Sequence, residues 1–219
     1  MNSKSFAPLT GRIGFYPVVP TAEWVERLLA WGVRTIQLRI KAADHAPYDI
    51  AAQVSAAVAS GGKVPGAQVF INDHWQLALA ANAYGVHLGQ EDLDTADIQA
   101  LRSAGMRLGL STHTADELAR ARAVQPSYLA IGPIYPTTLK VMPYAPVGLE
   151  RLAEWAKLAA PYPVAAIGGI SLANMPGVLA CGVDGVAVVS AVTLASDPRQ
   201  AAREGIALFK RAAFRSDSA

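Results

Sequence analysis

One cysteine, Cys181, is all the chain carries. An internal disulfide is therefore excluded, and no thiolate cluster is available for zinc or an iron–sulfur centre. Cys181 itself reads as a small buried apolar residue near a helix end. Charge is scarce as well: Asp, Glu, Lys and Arg make up 16% of the residues and sum to a formal +2. The basic residues are scattered rather than gathered in a stripe or patch, which excludes nucleic acid as a partner. The first residues, MNSKSFAPLT, hold no apolar run of signal-peptide length. The most apolar stretch, Val164 to Ala195, is broken by Gly168, Gly169, Asn174, Pro176 and Asp184, so no membrane span is expected. A soluble cytoplasmic protein is the expectation. Finally, no G-x-G-x-x-G follows the first apolar run, where Pro20-Thr21-Ala22 stands instead. That speaks against a doubly wound dinucleotide fold, the main alternative architecture.

Apolar surface, by contrast, is abundant. Hydrophobic residues make up 52% of the 219, enough for one large core. Short β-rich apolar runs alternate with longer segments of helical period, the signature of a parallel sheet with crossover helices. The strands are expected at Ile13–Val19, Thr35–Ile40, Gln68–Ile71, Gly85–Leu88, Arg107–Leu110, Tyr128–Ile131, Val164–Ile167 and Gly185–Val189. Helices are expected over Thr21–Trp31 and about Tyr48–Ala59, then after Asp73, near Thr95, after Thr114, over Val147–Ala159, after Ser171 and from Asp197-Pro198. Thr114 and Glu117, three apart, read as a capping box. Eight such units close into an α/β fold of one domain, a single (β/α)8 TIM barrel over residues 1–219. Residues 1–11 are expected as a flexible N-terminal extension.

Barrels of this kind place their chemistry where the strands end. The first strand ends in Tyr16-Pro17-Val18-Val19-Pro20, which offers little. The second reads Gln37-Leu38-Arg39-Ile40-Lys41. Alternation puts Gln37, Arg39 and Lys41 on one face and Leu38 and Ile40 on the other. The apolar face must meet the helices, so the polar stripe points inward, where buried cations call for an anion. Internal salt bridges are the alternative. Asn72-Asp73 ends the third strand and Gly89-Gln90-Glu91-Asp92 the fourth. Two carboxylates at neighbouring strand ends suit Mg²⁺ beside a phosphate; by spacing alone they equally suit helix caps or partners for Arg39 and Lys41. The fifth strand ends in Ser111-Thr112-His113-Thr114. The sixth runs into a long loop, Gly132 to Lys140, with Thr137, Thr138 and Leu139 before the lysine, of the kind that covers a substrate. Gly168-Gly169 after the seventh strand and Val189-Ser190 after the eighth suit a phosphate held by backbone N–H groups. Two anion sites in one mouth suggest a transferase joining two phosphorylated molecules.

These segments, taken in order with Gly85-Val86-His87-Leu88 and Gly132-Pro133-Ile134-Tyr135-Pro136-Thr137, resemble the thiamine-phosphate synthase family over nearly the whole chain. The resemblance implies a reaction. A pyrimidine diphosphate, 4-amino-5-hydroxymethyl-2-methylpyrimidine diphosphate, would be condensed with 4-methyl-5-(2-phosphoethyl)thiazole to give thiamine phosphate and pyrophosphate. It implies roles as well. Gln37, Leu38, Arg39, Ile40, Lys41 and Asn72 would hold the pyrimidine diphosphate, and Lys140 its phosphates. Asp73 and Asp92 would bind Mg²⁺, and Ser111 would contact the pyrimidine. Thr137, Thr138, Leu139, Gly169, Val189 and Ser190 would hold the thiazole phosphate. Arg39, Lys41, Ser111 and Lys140 would carry the catalysis. The family chemistry is dissociative, and the absence of a nucleophile–base pair agrees with it. Relatives suggest a homodimer. One departure stands out: the family loop reads Pro-Thr-x-Thr-Lys, and here Leu139 occupies the second threonine's place. A related thiazole tautomerase carries histidine where this chain has Pro133, and proline cannot transfer a proton. A non-catalytic phosphate sensor would not need both acidic residues.

Overall fold

Side chains of a strand alternate between two faces, and here both faces are buried, as an all-parallel sheet requires. The structure, a computed structural model, describes residues 5–41, 46–137 and 145–216. Eight strands follow one another: β1 (Gly14–Val19), β2 (Thr35–Leu38), β3 (Gln68–Asn72), β4 (Gly85–Leu88), β5 (Arg107–Thr112), β6 (Tyr128–Ile131), β7 (Val164–Ile167) and β8 (Gly185–Val188). Each pairs in parallel with the next, and β8 closes onto β1 through Gly14↔Gly185 to Pro17↔Val188. The expected TIM barrel is therefore present, with strand limits that differ from the sequence reading by at most two residues at an end.

Ten helices are described: α1 (Ala22–Ala30), α2 (Pro47–Gly62), α3 (Trp75–Ala80), α4 (Gln90–Thr95), α5 (Ile98–Ser103), α6 (Ala115–Ala123), α7 (Gly148–Leu158), α8 (Met175–Leu179), α9 (Ser190–Thr193) and α10 (Pro198–Ser216). Two differ from expectation. The fourth crossover does not start near Thr95; it starts at Gln90 and breaks at Ala96-Asp97, where the Asp97 side chain accepts from Ala100 N and opens α5. The short α9, directly after β8, had no apolar period to announce it. At α6 the capping box is half formed. Thr114 accepts from Glu117 N, but the Glu117 carboxylate reaches back to the N–H and ring Nδ1 of His113, each at 2.7 Å.

Two apolar regions fill the fold. The larger lies between barrel and helices and takes Ile36, Leu38, Ile40, Val69, Ile71, Val86 and Leu88 from the outer faces of the strands. The smaller lies inside the barrel and is built on Tyr16, Phe70 and Tyr128, whose rings meet at centroid distances of 5.1–6.1 Å. Gly109 makes room for it: a Cβ there would stand 2.2 Å from the Tyr128 ring. Residues 5–11, set apart in sequence as an extension, are packed across the base of the barrel. Phe6 is buried against the Arg102 guanidinium, Ser127 donates to Ala7 O, and Thr10 N donates to Tyr84 OH. Phe6 supplies the apolar anchor that a loose extension lacks. Among the described residues no helix is long and apolar enough to cross a membrane.

Candidate active site

The site is assembled at the strand ends, as the alternation of β2 predicts. Gln37 points into the barrel and is buried, while Leu38 and Ile40 pack outward against helices. Any part these two take in binding is through backbone, and Ile40 O already accepts from His74 Nε2 at 3.0 Å. Arg39 follows on the inner face, half-buried, with its N–H on Val19 O; Lys41 stands exposed at the rim.

Asp73 is delivered to the mouth by an unusual turn. Its φ is +59°, a left-handed value that Asp tolerates better than most residues. Its N–H bonds to His87 O of β4, which pulls the end of β3 toward the neighbouring strand end. There Asp92 lies in the first turn of α4, one carboxylate oxygen accepting from Gly89 N at 3.2 Å. Burial lifts the Asp73 carboxyl to about 6, and the Asp92 carboxylate, to which it is hydrogen-bonded, adds to the rise; Arg39 and the Asn72 side chain oppose it. Asp73 does not cap α3, whose N-cap is His74. Two carboxylates held together beside one arginine fit a hard divalent cation, which would relieve their repulsion. Among the described residues no three His, Cys, Asp or Glu converge, so such an ion would take its other ligands from substrate oxygens and water.

Ser111, on β5, is reached from inside. A hydrogen-bonded line runs from Gln37 Nε2 to Tyr16 OH (3.0 Å), Tyr128 OH (2.7 Å), His87 Nδ1 (2.7 Å) and, from His87 Nε2, to Ser111 Oγ (2.8 Å). The Ser111 carbonyl accepts from Gln90 Nε2, and Gln90 is gripped by Arg120, which also pairs with Asp94. Burial, with the Arg39 charge second, holds His87 down to about 3, so its imidazole is neutral. Burial also pushes the Tyr16 and Tyr128 hydroxyls well above the ordinary range. Tyr16, from the strand expected to offer little, is the β1 side chain in this line.

On the opposite side of the mouth, the loop after β6 lies against Gly168 and Gly169. Ile134 N bonds to Ile167 O and Tyr135 N to Gly168 O. A Cβ on Gly169 would meet Tyr135 and Pro136 at 2.6–2.8 Å, so this glycine, at φ +66°, makes room first for the loop. Val189 precedes α9 and Ser190 opens it, directly after β8. Thr137 is half-buried at the end of the described loop. Thr138, Leu139 and Lys140 lie outside the described residues. Cys181 is half-buried near the end of α8, its thiol 3.4 Å from Gly177 O and from Leu149 O.

A profile described as thiamine monophosphate synthase matches residues 15–192. The chain belongs to that family. Thiamine-phosphate synthase of Klebsiella pneumoniae subsp. pneumoniae is 53% identical over 208 residues, 95% of this chain and 97% of the relative. That of Pectobacterium atrosepticum is 55% identical over 201 residues, 91% and 93% of the two chains. Among solved structures, thiamine phosphate pyrophosphorylase from Pyrococcus furiosus superposes with a TM-score of 0.78 at 32% identity, covering 91% of this chain and 96% of that one. A 3-hexulose-6-phosphate synthase from Salmonella typhimurium superposes at 0.68 with 20% identity and shares the barrel alone. The structure places Gln37, Arg39, Asn72, Asp73, Asp92 and Ser111 at or beside the ends of β2 to β5, and Gly169, Val189 and Ser190 at the ends of β7 and β8. The sequence reading did not anticipate the hydrogen-bonded line through Tyr16, His87 and Tyr128. The signal was present: polar atoms at inward positions of β1, β4 and β6 need partners.

Proposed function

We propose that the chain is a thiamine-phosphate synthase that condenses 4-amino-5-hydroxymethyl-2-methylpyrimidine diphosphate with 4-methyl-5-(2-phosphoethyl)thiazole. The observation that carries this is identity of 52–55% to thiamine-phosphate synthases across more than nine-tenths of each chain. In the reaction the bond between the pyrimidine methylene carbon and the diphosphate oxygen breaks and pyrophosphate leaves with the electron pair. The thiazole nitrogen then supplies its lone pair to that carbon, giving thiamine phosphate.

This chemistry needs charge stabilisation and positioning more than a base. Arg39, Lys41 and Lys140 neutralise the diphosphate as negative charge builds on the leaving oxygen. Asn72 and the backbone of Leu38 and Ile40 help seat it. Gln37 and Ser111 hold the pyrimidine ring. Gly169, Val189 and Ser190 hold the thiazole phosphate largely through backbone N–H groups, and Thr137, Thr138 and Leu139 are assigned to the same group. Asp73 and Asp92 hold Mg²⁺, which when bound would neutralise diphosphate charge. The reading includes action in the cytoplasm, and a homodimer that light scattering tests.

Purified protein incubated with both substrates and Mg²⁺, then chromatographed, should yield thiamine phosphate and pyrophosphate, and EDTA should abolish both. Thiazole phosphate isomerised without condensation would point to the tautomerase relative instead. Product undiminished by EDTA would refute the metal assignment.

A further inference from the structure

The line from Gln37 to Ser111 has a direction. Tyr16 and Tyr128 are fully buried inside the barrel and His87 nearly so. Every proton on the line must therefore find an acceptor within it. Gln37 points its amide nitrogen at Tyr16, so Tyr16 O accepts. The Tyr16 proton then goes to Tyr128 O, the Tyr128 proton to His87 Nδ1, and the remaining imidazole proton, on Nε2, to Ser111 Oγ. Run the other way, with Ser111 donating to His87 Nε2, the line leaves the Tyr16 proton with no acceptor, because Gln37 and Tyr128 are its hydrogen-bond partners. A buried unpaired hydroxyl proton is costly. With Gln37 Nε2 toward Tyr16, only the first arrangement satisfies all members; an amide turned about, with Oε1 toward Tyr16, would reverse every bond of the line.

The two ends are thereby fixed. The Ser111 oxygen accepts from His87, so its own proton is left to be donated away from the barrel interior. Gln37 spends its nitrogen on Tyr16, which leaves Oε1 as its acceptor. The mouth then presents one acceptor and one donor whose polarity is coupled through the core. That is the complement of an aminopyrimidine edge, which carries an N–H donor beside a ring-nitrogen acceptor.

We infer that Tyr16, Tyr128 and His87 are positioning residues that lock Ser111 as a hydrogen-bond donor and Gln37 as an acceptor toward the pyrimidine, so that ring recognition depends on a relay the substrate never touches. The pyrimidine itself rests on the proposed function; the polarity of the relay does not.

Two measurements separate the claims. In protein labelled with ¹⁵N-histidine, the His87 resonance, assigned by its loss in His87→Gln, should report a neutral ring protonated at Nε2, and Tyr128→Phe should shift that tautomer balance. A ring protonated at Nδ1 overturns the relay whatever the enzyme does. In kinetics, Tyr128→Phe and His87→Leu should raise KM for the pyrimidine diphosphate about tenfold, the effect of one lost hydrogen bond of ~1.4 kcal/mol. KM for thiazole phosphate should stay within about twofold. His87→Gln keeps an N–H for Ser111 and should recover most of the loss. Equal effects on both KM values, or no recovery by glutamine, reduce the three residues to packing and refute the inference. A wild type that makes no thiamine phosphate refutes the reaction instead, and the tautomer alone then decides the relay.

Discussion

Asp73 and Asp92 face each other across the ends of β3 and β4 and share a hydrogen bond, the first from a left-handed turn, the second from the first turn of α4. The Asp92 carboxylate raises the cost of charge on Asp73, and a divalent cation between them would remove that cost. Asp92→Asn keeps the shape and an acceptor for Gly89 N but deletes one charge. The Mg²⁺ concentration for half-maximal rate should rise by about tenfold or more, the loss expected when one of two carboxylate ligands is removed. A saturation curve unchanged by the substitution would contradict a metal role for Asp92.

Lys41 sits exposed at the rim beyond Arg39. If it meets charge that develops only as the diphosphate departs, Lys41→Ala should lower kcat on the order of 10²-fold, as loss of an oxyanion donor does, with a smaller change in KM. A rate within a few-fold of wild type removes it from the leaving-group machinery.

Gly169 combines a φ of +66° with loop atoms at 2.6–2.8 Å from where a Cβ would stand. Left-handed backbone costs an alanine about 1 kcal/mol and the overlap about 1–3 kcal/mol more. Gly169→Ala should therefore lower Tm by about 5–10 °C. Because the strain falls on Tyr135 and Pro136, KM for thiazole phosphate should rise as well. An unshifted Tm would mean the loop yields freely.

Much of this was legible in sequence, for a physical reason. A strand of a closed parallel barrel is buried on both faces, so the apolar runs stood out, and polar residues at alternate positions of Gln37–Lys41 could only point inward. Strand ends placed Asp73, Asp92 and Ser111 at the mouth but left Asp73 and Asp92 open between metal ligands, helix caps and partners for Arg39 and Lys41, and Ser111's part came from the family resemblance. What escaped detection has a common cause: its meaning depends on partners distant in sequence. Tyr16 and Tyr128 are 112 positions apart, and each looks like core until its hydroxyl is paired. Helix α9 has only four residues, too few for a period. Ser5 to Gly11 has no pattern of its own, and its docking shows only against Gln125, Ser127 and Tyr84.

That docking is testable. Phe6 is 4% exposed, with the Arg102 guanidinium 4.9 Å from its ring centroid. Phe6→Ala should cost about 3–5 kcal/mol, as for other buried phenylalanines, and lower Tm accordingly. Since the strap lies at the base, away from the strand ends that carry the site, kcat and KM at 25 °C should be unchanged. An unaltered Tm would show residues 5–11 to be loosely held.

His87 makes the acid limit of stability predictable. Burial holds the folded imidazole down to about 3, against 6.5 for an ordinary histidine. Between those values the unfolded chain binds a proton that the folded chain refuses, so stability falls as pH falls. The contribution is complete above pH 6.5 and declines below it by up to about 1.4 kcal/mol per pH unit toward pH 3. Asp73 acts in the opposite sense. Its folded value, about 6, lies above the ordinary 3.8, so it adds stability as pH falls through that window. The raw curve mixes the two, but the difference between wild type and His87→Gln isolates the histidine. Denaturant unfolding of both at pH 7.5, 6.0 and 5.0 should show wild type losing its margin over the variant step by step on acidification. A difference independent of pH would mean that His87 is protonated as readily in the folded chain as in the unfolded one.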